Sequence, residues 1–363
     1  MNKEVLSGKQ AISLIVYAII GDALIFTSGL LAGKDFWIAI LVSILMAYFV
    51  FMVYARLISA FPGKDFFDIL KLVLGSGMGK AVSIIYIWFL LHLGALVIRS
   101  FTEFIITVTL PETPIIAPLS CLILVCIWAT KDGLELMGRL GKLFLIVMIT
   151  ITFITPLLLS KEWNLDFIRP VFYNGFQPIF NSAISTLAFP FAEAIICLFV
   201  FQSIRTKSIS RVFTGGLLIA GAIVFITSLS EVLVLGVDAA QDYYFPAHNA
   251  VRKLNIGDFL QRLEIVVGVT FVVGGFIKTS LCILAVAKGV TKVFDLSDYR
   301  IIIIPVSILM ANLSYIVYDN LTEMSKWPVK VWPFYALPFQ VILPFLILVI
   351  LQLRKEKIKN NEP

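Results

Sequence analysis

Four charged side chains stand where charge is expensive. Asp22 lies in Ile19-Ile20-Gly21-Asp22-Ala23, Glu193 in Phe189-Pro190-Phe191-Ala192-Glu193-Ala194, and Arg99 and Lys278 sit inside long apolar runs. At the centre of a membrane helix each such charge costs at least about 2.5–3.5 kcal/mol. They are therefore expected to pair across helices or to hold a ligand. Two acids and two bases balance, and Glu103, one turn beyond Arg99, offers a local partner. A glycine beside Asp22 and a proline three residues before Glu193 are poor places to continue a helix. At a helix break, freed amides favour an anionic group and freed carbonyls a cation, which suits a zwitterion. Gly21, Asp22, Pro190, Ala192 and Glu193 would shape such a pocket, with Leu96, Arg99 and Thr279 as walls.

Other motifs lead to blander readings. Gly75-Ser76-Gly77-Met78-Gly79-Lys80 lacks the spacing and the following Ser or Thr of a phosphate loop, and is expected to open a helix. Gly29 and Gly33 have the spacing that packs helices closely. His92 reads as a satisfied core histidine. Cys121, Cys126, Cys197 and Cys282 lie in apolar runs with no histidine at ligand spacing, so neither a disulfide framework nor a metal site is expected. No nucleophile elbow, His-Glu-x-x-His or paired aspartates occur. Neither an enzyme nor a cofactor is expected.

The elements that must position the four charges follow from composition. Of 363 residues, 60 % are apolar and 14 % charged, and the mean hydropathy is +0.97. A soluble domain is typically about 45–50 % apolar and about 25 % charged, so the chain reads as one all-α, polytopic membrane domain spanning 1–363. Runs of about 20 apolar residues predict ten transmembrane helices at 10–33, 36–57, 80–109, 114–130, 143–160, 181–204, 212–236, 262–289, 299–319 and 335–353. The first is expected to be an uncleaved span. Asp22 and Glu193 each lie near the middle of the first span of a set of five. Matching breaks in two halves point to a 5+5 inverted repeat with broken helices 1 and 6 and a site between them.

The net charge is +6. Lys and Arg favour the N-terminus, alternate loops and the tail over the opposite loops by more than two to one, which places both termini in the cytoplasm. Trp37, Trp163, Trp327 and Trp332 fall at predicted outer boundaries as interfacial anchors. Glu231, near the outer end of its span, is expected to be solvated. The outer segment 237–261, with Asp238, Gln241, Asp242, Tyr243, Tyr244, Pro246 and His248, is a candidate lid. The tail residues Arg354, Lys355, Lys357 and Lys359 suit an anchor near anionic lipid.

From end to end the chain resembles the spore germination proteins, specifically germinant receptor B subunits, in the amino acid–polyamine–organocation superfamily. Gln10 with Gly21-Asp22-Ala23-Leu24 is similar to the family's first span. Phe61-Pro62-Gly63-Lys64 with Leu74-Gly75 and Gly79 resembles its first inner loop, and Thr113-Pro114 and Gly133-Leu134-Glu135 with Arg139 its fourth span and the loop after it. In the second half, Phe189-Pro190-Phe191 before Glu193 is similar to the sixth-helix break. The most specific match is Gly257-Asp258-Phe259-Leu260-Gln261-Arg262-Leu263-Glu264, followed by Gly275-Phe276-Ile277-Lys278. Ala192 departs from the glycine common in relatives, leaving less room for backbone contacts with a ligand.

The resemblance implies a ten-helix fold of the amino acid transporter type in the spore inner membrane. It also implies a larger A subunit and a lipoprotein C subunit as partners. The expected role is binding a small nutrient, an amino acid or sugar, at the midplane and signalling to those partners. The alternatives are an active secondary transporter and a structural membrane anchor of the receptor. Lys278 is expected to take the place of the sodium ion that transporters of this fold often hold, making binding sodium-independent.

Overall fold

Backbone amides and carbonyls cannot be left bare in hydrocarbon, so a chain this apolar must satisfy them within its own helices. The computed structural model describes residues 5–206, 208–253 and 263–359 and is almost wholly helical. The first half holds α1 (Gly8–Ile20), α2 (Phe36–Ala60), α3 (Phe66–Leu74), α4 (Ser76–Phe104), α5 (Ile116–Asp132) and α6 (Leu134–Leu159). The second holds α7 (Phe176–Ala188), α8 (Ile196–Val200), α9 (Ile209–Leu235), α10 (Val237–Asp242), α11 (Pro246–Arg252) and α12 (Leu263–Val293). The chain closes with α13 (Arg300–Ile316), α14 (Leu321–Lys330), α15 (Trp332–Leu337) and α16 (Leu343–Lys359). Two short strands, β1 (Leu6–Ser7) and β2 (Ile204–Arg205), pair in parallel.

Seven stretches among the described residues are long and apolar enough to cross a membrane. An eighth counts if α13 and α14, bent by 102°, form one span. Leu45, Phe49, Leu124, Ile146 and Ile301 stand out from the helices fully enough to meet lipid. The expected count of ten is not reached by length alone. α1 ends after 13 residues at the Gly21 break, and α5 and α13 run 17 residues each. α6 begins at Leu134, so Gly133-Leu134-Glu135 and Arg139 open a helix rather than fill a loop; Glu135 Oε1 accepts from Val5 N at 3.2 Å.

The two expected breaks are present. After Ile20 the chain runs through turns to Gly29 and a 3-10 segment at Leu30–Asp35, with no second α-helical half. Gly29 and Gly33 therefore lie in turns at φ +83° and +60°, where L-residues are strained, and not on a helix-packing face. α7 ends at Ala188, and a 3-10 turn, Phe191–Ile195, leads into α8. Both breaks sit at the centre of the bundle: Leu14–Ile20 and Phe191–Phe201 are wholly buried. α12 packs against α1, α4 and α8 and faces both.

One end of the bundle gathers the described termini. Leu6 N donates to Ser203 O at 3.0 Å, and Arg354 Nη1 to Val73 O at 3.1 Å. Asp65 caps α3 reciprocally with Asp68, and both carboxylates accept from Lys292 of α12, at 2.6 and 2.5 Å. Asp65 is fully buried and also accepts from Gln202 Nε2 at 3.1 Å. Gly75, at φ +87°, turns the chain from α3 into α4, as the glycine-rich run predicts.

Candidate ligand site

Lys278 is wholly buried in α12, and its stem passes directly over the α1 break. A Cβ on Gly21 would lie 2.7 Å from the Lys278 Cβ and 2.8 Å from its Cδ. Glycine alone permits this approach. The ammonium then reaches both broken helices, donating to Asp22 Oδ1 and to Glu193 Oε2. The centroid of the Phe189 ring, at the C-cap of α7, lies 6.0 Å from the same nitrogen. Asp22 is 5 % exposed and Glu193 1 %. Such a pair is stable in low dielectric only because both acids share a counter-charge.

Arg99 does not join them. Its Nε donates to Glu103 at 2.8 Å, and its Nη1 to the carbonyls of Tyr315 at 2.7 Å and Ser314 at 3.3 Å. The expected balance of two acids and two bases thus resolves into a local pair on α4 and a separate trio of two acids and one base. Because α13 ends beside Arg99, its C-terminal carbonyls outcompeted the distant acids for the guanidinium.

A small cavity of about 20 Å³ opens against Asp22 and Glu193. Leu96 lines it as expected, whereas Gly21, Arg99, Pro190, Ala192 and Thr279 do not. The Ala192 carbonyl accepts from Tyr54 at 3.3 Å, and the buried Thr279 hydroxyl has no hydrogen-bond partner among the described residues. Residues the sequence reading missed complete the wall: Phe26, Phe189, Tyr318, Met324, Trp327 and Trp332. Trp332 is buried and donates from Nε1 to Ala188 O at 3.2 Å, satisfying a carbonyl freed at the α7 break. Trp327 and Trp332 are therefore site walls, not interfacial anchors. Trp327-Pro328 and Trp332-Pro333 repeat the aromatic–proline pairing of Phe189-Pro190 in the sequence, although Pro328 lies inside α14 and Pro333 in the first turn of α15.

Above this cavity lies a vestibule of about 430 Å³. The two share Phe26, Phe189 and Pro328, and the Phe26 and Phe189 rings meet edge-on at 6.1 Å. Gln241, Tyr243, Tyr244 and Pro246 from the expected lid line the vestibule; 254–261 fall outside the described residues. Glu231 is buried, not solvated. Its Oε2 accepts from Thr27 Oγ1 at 2.5 Å, and Ser28 N donates to Ser228 Oγ at 3.0 Å, so α9 straps the chain segment that follows the first break. His92 packs in an aromatic cluster, 5.3 Å from Tyr335, but its buried Nδ1 lacks a partner among the described residues, so it is not the satisfied histidine expected.

Interrupted helices meeting a buried charge beneath a vestibule define a transporter-type membrane fold. Mhp1, described as a nucleobase-cation-symport-1 family transporter in a closed conformation with bromovinylhydantoin bound, has this fold. It matches with a TM-score of 0.62 at 11 % identity, over 95 % of this chain and 78 % of that one. Residues 5–324 match the family model described as spore germination protein, and the chain belongs to that family. It is 28 % identical to spore germination protein KB of Bacillus subtilis (strain 168) over 100 % of this chain and 99 % of that protein. Spore germination protein YndE of the same strain is 23 % identical, covering 89 % and 88 %. The short segment 257–262 of the most specific sequence match lies outside the described residues.

Proposed function

We propose that this chain is the B subunit of a spore germinant receptor, a nutrient sensor built on a transporter fold. The observation that carries the reading is the shared ammonium of Lys278, which ties both helix breaks together directly beneath an open vestibule. A nutrient entering past Phe26 and Phe189 reaches the one place where both broken helices and α12 meet. Recognition there, rather than catalysis, biases the balance between an open and an occluded form. A ligand shifts that balance only by its differential affinity for the two forms. The cavity of about 20 Å³ has room for roughly one water, so this conformation is closed and must open to admit a nutrient.

On this reading the protein sits in the spore inner membrane with both termini in the cytoplasm. A larger A subunit and a C lipoprotein read its state. Binding is sodium-independent, because the Lys278 ammonium already supplies a cation. The test is saturable binding and uptake of labelled amino acids and glucose by the purified chain in liposomes, with and without sodium. Binding without uptake is the expected result. Concentrative uptake would favour the secondary transporter, and the absence of any saturable binding would leave the role of membrane anchor.

A further inference from the structure

We infer that the chain carries a second, separate binding site, for a small neutral alcohol, in a cavity between α6, α9 and α11. The cavity measures about 50 Å³ and shares no lining residue with the vestibule or with the cavity at Asp22 and Glu193. One water needs roughly 10–15 Å³, so the space suits a molecule of about four non-hydrogen atoms.

Three polar groups belong to its wall. Glu231, the one charged residue among the described lining residues, is 4 % exposed. Its Oε2 accepts from Thr27, while its Oε1 accepts from no described residue. Thr155 contributes a buried Oγ1 with no hydrogen-bond partner among the described residues. The third group is the Thr152 carbonyl. Pro156 lies one turn further along α6 and lacks the N–H that would otherwise reach that carbonyl, and both residues line the cavity. Neighbouring hydroxyls are already engaged: Thr227 donates to Ile223 O at 2.9 Å, and Ser230 Oγ accepts from Trp163 Nε1 at 3.4 Å.

This set calls for a ligand group that both donates and accepts. Glu231 Oε1 and the Thr152 carbonyl need a donor, and the Thr155 hydroxyl needs an acceptor. A hydroxyl meets both needs without charge. An ammonium only donates and leaves the Thr155 proton unused; a ketone or ether only accepts and leaves the carbonyl and carboxyl bare. Leu24, Ile151, Leu159, Ala250 and Val251 supply the apolar wall for a short alkyl chain. Ile151 and Thr155 are half-buried and border Phe153, Ile154 and Leu157, which are exposed on the outer face of α6, so an alcohol dissolved in the bilayer reaches the cavity past this helix. An occupant bonded to Glu231 acts on Thr27, which lines the vestibule on the other side. The inference is independent of which nutrient fills the cavity at Asp22.

The experiment follows 3-fluoropropanol and 1-fluorobutane, which differ by a hydroxyl in place of a methyl group, by fluorine NMR with the full-length protein in nanodiscs. Line broadening beyond that in empty nanodiscs is titrated and referred to the membrane-dissolved probe. The alcohol is expected to bind saturably and at least fivefold more tightly than 1-fluorobutane. Ala250→Phe and Ile151→Trp, which fill the cavity from α11 and from α6, are each expected to abolish binding. Thr155→Val, which keeps the shape and removes the hydroxyl, is expected to weaken the alcohol severalfold and leave 1-fluorobutane unchanged. If 1-fluorobutane binds as tightly as the alcohol, the cavity is an apolar site and the alcohol class is wrong. Alcohol binding untouched by either filling variant, or by Thr155→Val, would overturn the site.

Discussion

Gly21 and Lys278 are in contact across the centre of the bundle: the glycine's missing side chain is the space through which the lysine stem passes. The interruption of the first helix and the placement of the buried cation are therefore one structural event. A methyl group on Gly21 would also press on Tyr17 O at 2.7 Å. Gly21→Ala is expected to cost about 1–3 kcal/mol, the range for overpacking a tight core. Thermal unfolding in detergent checks it, and an unchanged melting temperature would contradict the close approach.

Removing the ammonium leaves two buried carboxylates face to face. Lys278→Met is expected to destabilise the protein by about 3–5 kcal/mol, the usual penalty for breaking a buried ion pair on one side. Sodium or potassium should then recover part of the loss by binding between Asp22 and Glu193, while the unmodified protein ignores them. Melting curves across a salt series read both effects. A wild-type protein stabilised specifically by sodium would show that Lys278 does not stand in for an ion.

Arg99 fixes the end of α13 just before the bend into α14, because its guanidinium holds the carbonyls of Ser314 and Tyr315. Arg99→Met is expected to lower stability by about 2 kcal/mol or more, since charged hydrogen bonds of this kind contribute roughly 1.5–3 kcal/mol each. Ligand preference should be unchanged. A switch in which solute binds, at preserved stability, would return Arg99 to the pocket wall.

At the terminal end, two ion pairs of α12 and its exit differ in burial. Lys292 holds the buried Asp65, whereas Lys80 meets Asp295 at 2.8 Å in solvent. Lys292→Met is expected to loosen the α3 end, read as faster labelling of a cysteine introduced at Gln202. Asp295→Asn is expected to leave it alone. The hydrogen bond from Lys80 holds the Asp295 carboxyl below the usual carboxylate range. Any stability it adds is present above that range and is lost only as pH falls through the depressed value. Between about pH 5 and pH 8 the pair therefore contributes no pH dependence.

The sequence carried the central charges because hydrocarbon makes them conspicuous: Asp22, Glu193 and Lys278 needed only their apolar neighbours to be noticed. It did not carry their partners. Arg99 and Lys278 look alike in an apolar run, and only the arrival of the α13 carbonyls beside Arg99 decides which of them joins the acids. Glu231 misled for the same reason: its distance along the helix suggested solvent, but Thr27 and the turns after α1 cover it. The extent of continuous helix was also hidden. Hydropathy runs across a break without noticing it, so 10–33 reads as one span although the α-helix stops at Ile20.

The strap from α9 has a mechanical corollary. Thr27 and Ser28 are held to Glu231 and Ser228, while Asp22 is held to Lys278. The few residues between behave as a short tether with both ends nailed to different posts. If α9 and α12 move apart, that tether tightens and draws on the wall containing Phe26. A displacement too small to see at either post would then be felt at the aperture, as a cord across a hinge converts a slight turn into a pull.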